Sequence, residues 1–590
     1  MSVQLKLECS FDGTGSSWTT LTSWSGKDYL LQARGIDITR GRDDETGEPI
    51  SPGTIGFVLD NADYRFSPGI TSSPCYPYLE QPGSLLRLSA WVNGAWQKLF
   101  YGTAQSWTAT LDGDLTGKKS ICTVTATDTL GVFPSYMLQQ ASSEIIKRYR
   151  PVAYWPLNDT ESPATALVGQ SVLKDPSGTA SGWGSGSLLP MDEGDTAHPL
   201  FTSNSTGLVV SSMLTLAAPC TVVFVLMSAP TATALGLITL LRGMYNAAGT
   251  TQYDLLWRDS VGLGISTTTA GFGVPTRWPA LLALSSDGHG YMVDADGNTY
   301  TATPAVSPGS LRIKTSIQLN THDYVLGSTW SAGHLAIFDR ALSLSDLSGM
   351  AAQLIGSRTP ASETAASLLA SWVEMSVTGG TVGEAALPPC KDRDAAEVMN
   401  SLVASMGARL VDDLAGGLSW IDFGPSTTPV AIPKTTTDLA WGTSSTGWMS
   451  EQTVTFPDGS TYTATRSDGA RKTGPGLEAV HSDPGKDRSM ADWNVHSGTL
   501  GGRCSQVPVD MMGLTEAQRA SLAALAPGSR ITPPSYAYMP SGLILIVEGV
   551  EHHIDAETWT ATFKTSPDIY SRLLIWDSGD TWDGGKLWAP

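Results

Sequence analysis

Short runs of alternating apolar and polar residues recur along this chain. Gly, Pro, Asn or Asp bounds most of them, the pattern of half-buried strands. In the first 140 residues the runs predict strands at Val3–Cys9, Thr54–Leu59, Leu85–Val92, Lys98–Thr108 and Ser120–Thr127. In Thr54–Leu59 the apolar set is Ile55, Phe57 and Leu59, and Pro52-Gly53 and Asp60-Asn61 close the run. Asn93-Gly94 between two runs predicts a two-residue hairpin, and Asp112-Gly113 marks another turn. Ser142-Ser143-Glu144 then caps and starts a short helix that Pro151 ends.

The pattern changes three times after that. From Val152 to about Gly356 the chain is rich in Gly, Ser, Thr and Ala, with strands predicted at Cys220–Met227 and Gly290–Thr301 and a hairpin at Asp296-Gly297. This reads as a two-sheet antiparallel sandwich. Over Asp392–Met406 the period becomes helical: Ala395, Val398, Met399, Leu402, Val403 and Met406 share a face. Asp394 with Glu397 offers a capping box, and Gly407 a stop. Arg409–Val411 and Leu418–Phe423 then predict a hairpin. From about 431 strands return: Glu451–Phe456 with Ser460–Arg466, and 543–554 with 559–567, separated by a helix over Thr515–Leu525.

Composition narrows the classes. At 590 residues the chain holds several domains. Charged residues make up 16% and hydrophobic ones 41%, which suits packed domains. The net charge of −20 opposes a nucleic-acid grip, which needs a clustered basic face. No basic run is longer than Lys147-Arg148. Six cysteines, at 9, 75, 122, 220, 390 and 504, form no C-x-x-C pair and have no His at zinc spacing, so they read as isolated apolar residues of a protein made in a reducing cytoplasm. Met-Ser-Val-Gln-Leu-Lys-Leu at the amino terminus alternates like a strand and lacks a signal-peptide core. No apolar run reaches the length of a membrane span, so no stable membrane insertion is expected.

Arg40-Gly41-Arg42, Pro52-Gly53, Leu59-Asp60-Asn61, Arg65-Phe66-Ser67-Pro68, Tyr76-Pro77 and Arg87 follow one another in an order that resembles the first barrel of tail-hub (minor tail, baseplate-hub) proteins of long-tailed actinobacterial phages. The segment 547–567, "VEGVEHHIDAETWTATFKTSP", resembles the closing hairpin of such hub barrels. Between them, Tyr154-Trp-Pro-Leu157 and Gly333 to Leu347 resemble the two ends of laminin-G-like, concanavalin-type modules. The resemblance implies a mainly β chain. Its expected parts are a first hub β-barrel (1–140), a helical connector (141–151), an inserted laminin-G/concanavalin-like jelly roll (152–356), a small helix-plus-hairpin α+β domain (361–430), a second hub β-barrel (431–575) and a Trp-rich tail (576–590) expected to dock on a neighbour.

Catalytic motifs are missing: neither H-E-x-x-H nor G-x-S-x-G occurs. His552-His553 falls in a strand, so the two rings point to opposite faces, with one buried. Asp294-Ala-Asp-Gly-Asn298 starts like a calcium loop but has no Glu at the twelfth position, and reads as a turn. Asp43-Asp44-Glu45 reads as a solvated loop, and Trp18, Trp24, Trp91, Trp96 and Trp107 as core or interface aromatics. The expectation is therefore no enzyme, no metal and no cofactor. The resemblance implies a homotrimer at the virion tail tip, contacting a distal tail protein, other tail-tip proteins and the tape-measure protein, with DNA only in transit. The jelly roll is expected to meet host surface glycan. Sugar rings have apolar faces and polar rims, so an aromatic beside a hydrogen-bonding group is the pattern sought; Trp257 with Arg258, and Arg277 with Trp278, fit it. The alternative is a free carbohydrate-binding protein or glycosidase built on the jelly roll.

Overall fold

The computed structural model describes residues 3–42, 51–80, 83–111, 120–169, 173–174, 182–187, 189–192, 197–202, 208–210, 216, 219–228, 230, 237–246, 248, 251–258, 262–265, 274–275, 277–286, 288–303, 311–321, 329–355, 359–370, 372–378, 384–385, 390–421, 428–434, 439–442, 449–456, 459–466, 472–480, 484–497, 504–568, 573–574 and 587–588. The architecture is mainly β, as the alternation implies. Two units divide the chain: Met1–Tyr136, Val373–Gly383 and Asp394–Pro590 form one, and Met137–Trp372 with Glu384–Arg393 the other.

In the first unit the expected strands form with small changes of boundary. Leu5–Ser10, Leu85–Val92, Ala95–Leu111, Ser120–Thr127 and Thr54–Asp60 lie side by side in that order, and Ile36–Gly41, a strand the alternation did not predict, follows as the sixth. Ile55, Phe57 and Leu59 are buried as the period requires. Asn93 and Gly94 both take positive φ, the geometry that a tight hairpin between right-twisted strands demands. The 112–119 turn lies outside the described residues.

The next neighbour of Ile36–Gly41 comes from the far end of the chain. Ile36 pairs with Ile554 and Gly41 with Gly549, antiparallel, so Leu545–Ile554 joins the sheet. Trp559–Pro567 pairs with its other edge, and Gln506–Asp510 with that strand in turn. Strands from both expected barrels therefore run as one open twelve-stranded sheet, while Glu451–Thr455 pairs with Thr461–Thr465 and Leu477–Glu478 in a separate three-stranded sheet, and no sheet among the described residues closes on itself. One apolar cluster serves both ends of the chain: Leu7, Ile38, Phe57 and Phe66 pack in the same core as Val550, Trp559 and Phe563.

Helix and hairpin stand where the period placed them. Asp394 caps Ala395–Met406 through the Glu397 amide, and Gly407 leaves it in the left-handed region. Arg409–Asp412 and Leu418–Ile421 pair, and Met375–Thr378 adds a parallel third strand. Thr515 and Gln518 close a full capping box on Glu516–Ala523. All six cysteines are free and buried.

The second unit is a two-sheet sandwich. A six-stranded sheet runs Gly262–Ile265, Gln252–Arg258, Leu237–Asn246, Leu311–Thr321, Leu208–Val210, Leu173–Lys174. The other centres on Thr329–Phe338 and Thr221–Leu226, with Ala280–Leu284 and Gly290–Asp294 beyond. The two ends of the segment pair directly: Ala153–Trp155 lies against Leu335, Ala336 and Ile337. Thr221–Leu226 is buried at every position because it has no solvent face. Val222, Phe224 and Leu226 fill the space between the sheets, while Val223 and Val225 meet Ile145, Ile146, Leu347 and Met350 of the helices Ala141–Arg148 and Leu344–Leu354.

One helix start departs from expectation. The first of these helices begins at Ala141, after Gln140, whose side chain makes no capping bond. Ser142 and Ser143 lie inside it, because their hydroxyls are engaged elsewhere: Ser142 donates to Asp192, and Ser143 bonds the Tyr154 hydroxyl.

Candidate functional site

In the first unit the hub-like motifs meet at a buried ionic junction. Gly41 has φ of +79°, and a Cβ there would stand 2.3 Å from the Glu548 carbonyl oxygen and 2.9 Å from Gly549 Cα. A Cβ on Gly549 would in turn meet the Arg42 carbonyl oxygen at 2.6 Å. Only glycine permits this approach from both sides. The ladder shifts register between Val547 and Gly549, and Glu548 is the extra residue. The bulge turns its carboxylate inward.

That carboxylate is fully satisfied. Arg409 donates from Nε at 3.0 Å and from Nη2 at 2.5 Å, Arg42 Nε donates at 3.0 Å, and Ser566 Oγ at 2.6 Å. Burial alone would raise the Glu548 pKa, but the two guanidiniums and the hydroxyl hold it at about 2. Arg40 takes the other side: its Nε donates to Asp412 Oδ1 at 2.9 Å and its Nη2 to the Asp412 carbonyl. Asp128 accepts from the Gly53, Leu130 and Gly131 amides; burial and the charge of Asp412 push it up to about 7. Arg40-Gly41-Arg42 thus fastens the start of the chain to the helix–hairpin segment and to the closing hairpin.

Asn61 and Arg65-Phe66-Ser67 organise a loop, while Arg87 bonds Glu8 across the neighbouring strand. Asn61 Nδ2 donates to Ser67 and Ser120, and its Oδ1 accepts from the Phe66 amide. This seats Phe66 in the core, edge-on to Tyr29 and stacked on Trp107. Arg65 lies over Trp24 and Tyr29. Trp91 and Trp96 stay exposed at the hairpin, with ring centroids 5.2 Å apart. His552 is buried and accepts from Trp559 Nε1, and burial lowers its pKa to about 3. His553 faces solvent and contacts Asp37 at 2.6 Å. The two histidines therefore occupy opposite faces, as the strand period requires.

The candidate glycan residues lie in the second unit. Trp257 and Arg258 end the strand Gln252–Arg258, opposite Leu263 and Gly262; their side chains lie outside the described residues. Arg277 is exposed and reaches Asp296 Oδ1 at 3.5 Å. Trp278 is half-buried and leans on the inner core. Asp294-to-Asn298 is a turn in which the Asp294 carboxylate accepts from the Asp296 and Asn298 amides. Asp43-Asp44-Glu45 and residues 576–586 and 589–590 of the Trp-rich tail lie outside the described residues.

A second constellation in this unit was not singled out from sequence. Asp192, His198 and His334, all buried, bring one ligand atom each to within 4.8 Å of one another. They come from a 3-10 turn, from the segment before Leu200–Thr202, and from the long strand Thr329–Phe338. No local spacing announces such a set.

No family model matches the chain. No curated protein matches it either. Among solved structures the chain is similar to the 43 kDa tail protein of prophage MuSo2 from Shewanella oneidensis, at 7% identity and a TM-score of 0.39, over 95% of this chain and 98% of that one. It is similar to the tail protein from Neisseria meningitidis MC58 at 11% identity and a TM-score of 0.27, over 59% of this chain and 96% of that one. It is also similar to Trypanosoma rangeli sialidase in complex with sialic acid, at 9% identity and a TM-score of 0.27, over 52% of each chain. The chain thus spans about half the length of that sialidase. Likenesses at this level fix neither family nor function.

Proposed function

We propose that this protein is a structural component of a phage tail, the hub at the tail tip, and that it works as a homotrimer. One observation carries the reading. The two segments that resemble hub barrels stand at opposite ends of the chain, yet they pair as neighbouring strands and share the Arg42–Glu548–Arg409 junction. Arg40-Gly41-Arg42 and the closing hairpin thereby acquire a common task, to hold one sheet together. In this reading three chains form a ring around the tail axis and close the tube. They contact the distal tail protein, other tail-tip proteins and the tape-measure protein, and DNA passes only in transit.

The mass of the full chain in solution tests this. A trimer supports the ring; a stable monomer at micromolar concentration, or a labelled particle with the chain away from the tail tip, ends the reading.

The second unit is proposed as an accessory that meets host surface glycan, and the chain is proposed to have no turnover of its own. Turnover of purified cell-wall glycan, abolished by one point substitution, would overturn the latter. Replacing residues 137–372 by a flexible linker tests the former. The start is set at 137 rather than 152 because Ile145 and Ile146 belong to the second unit's core. Tails built with the shortened chain are expected to assemble and to adsorb poorly; normal adsorption refutes the glycan role alone.

A further inference from the structure

The cluster of Asp192, His198 and His334 has the organisation of a metal site. His334 sits at φ +57° where the ladder with Thr221–Leu226 shifts register. That bulge swings its ring off the ordinary pleat. Its Nδ1 bonds the Tyr154 hydroxyl at 2.9 Å, and Tyr154 is bonded in turn by Ser143. Its Nε2, with no exposed surface, makes no hydrogen bond and stands 3.4 Å from Asp192 Oδ2. Two ligands about 2.0–2.1 Å from a tetrahedral zinc would lie about 3.3 Å apart. His198 Nδ1 faces the Leu157 carbonyl oxygen at 3.1 Å. That bond makes Nδ1 the N–H, and the ring's lone pair is then on Nε2. Its ring stands edge-on to His334, at 4.8 Å between centroids, in space left by Gly333, where a Cβ would be 2.6 Å from it.

The charge balance points the same way. Asp192 is 3% exposed. Ser142 Oγ lies within 2.8 Å of both its oxygens, and among the described residues no Lys or Arg pairs with it. An isolated carboxylate in such a place is costly, and a cation between it and two imidazoles removes the cost. Ligating histidines usually bond their second nitrogen to a carbonyl or another polar group, which fixes the tautomer; both rings here do so.

We propose that Asp192, His198 and His334 bind a first-row divalent transition metal, with Zn2+ the expected occupant and a water as fourth ligand. Two imidazoles favour such an ion over Mg2+ or Ca2+, which take all-oxygen sets. The ion is structural. It joins the closing strand to the turn that carries Asp192, and through Ser142, Tyr154 and Leu157 to the helix and strand that open the unit. The ligands meet only in the folded sandwich, so the metal enters as the unit closes.

The test uses the full chain without a histidine tag, expressed with Zn2+ and desalted. The proposal expects about one zinc per chain. His334→Gln and Asp192→Asn are expected to retain about a tenth of that or less. Ser142→Ala should keep the fold and bind about 10- to 100-fold more weakly. Because the ligand variants could misfold, the unaltered chain is also unfolded with chelator and refolded with Co2+, whose visible bands report nitrogen ligation. A chain that carries no transition metal and takes up neither Zn2+ nor Co2+ on refolding overturns the proposal. Folded ligand variants that hold as much metal as the parent overturn it too.

Discussion

Both units bury a carboxylate almost completely, and they treat it in opposite ways. Glu548 in the first unit receives two guanidiniums and a hydroxyl, and no hydrogen-bonding direction is left for a visitor. Asp192 in the second unit receives one serine hydroxyl and faces a histidine nitrogen that makes no hydrogen bond. A closed network specifies which strands meet; it fixes geometry and binds nothing. A network short of one cation specifies a ligand. The same pair of facts, burial and charge, therefore reads as architecture in one unit and as a binding site in the other.

The strongest way to break the comparison is Glu548→Ala. It strands two guanidiniums in the core and is expected to cost about 3–5 kcal/mol. Calorimetry should show the first unit's transition falling while the second unit's holds. If both fall together the units are not independent, and if neither falls the junction is dispensable.

Acid sharpens the same point. The folded-state pKa of Glu548 is depressed, from 4.5 to about 2. Its contribution is therefore fully present above about 4.5 and is lost as the pH falls towards 2. Denaturant titrations over that window should show the first unit losing on the order of 3 kcal/mol from this group. In Glu548→Gln that share of the pH dependence should vanish.

A chelator present during refolding acts on the other side of the comparison. An ion held at about 100 times its Kd stabilises by about 2.7 kcal/mol. Its removal should lower only the second unit's transition, and equal lowering of both would point to a different ion site. The smallest expected effect is Arg277→Ala. The pair with Asp296 is exposed, so the unfolding midpoint should not move, whereas binding of isolated second unit to host cells should weaken if this edge meets glycan.

What was legible beforehand was local. Asn93-Gly94, Asp394 with Gly407, and the alternation in Thr54–Asp60 each carry their instruction within a few residues, and each formed as read. The pairing of Ile36–Gly41 with Leu545–Ile554 is an agreement between distant segments, and alternation tells a strand which face to bury without naming its neighbour. For the same reason barrel closure was expected where an open sheet formed. The serines at 142 and 143 looked like a helix cap because that is their commonest local use; only the fold brings Asp192 and Tyr154 within their reach. His334 carries no sign in the sequence, since its orientation depends on a bulge set by the neighbouring strand.

The distance between the two paired ends has a consequence in time. Asp37 and His553 touch across 516 positions. A ribosome adding about 5–20 residues per second needs roughly 25–100 s to supply the second after the first. Throughout that interval the edge of Ile36–Gly41 that faces away from Thr54–Asp60 lacks its partner, and the amides and carbonyls along that edge are open to any other strand nearby. The yield of correctly built protein is then set partly by the cell: by how fast the message is read, how far apart ribosomes travel on it, and what holds the early strands until the last ones arrive.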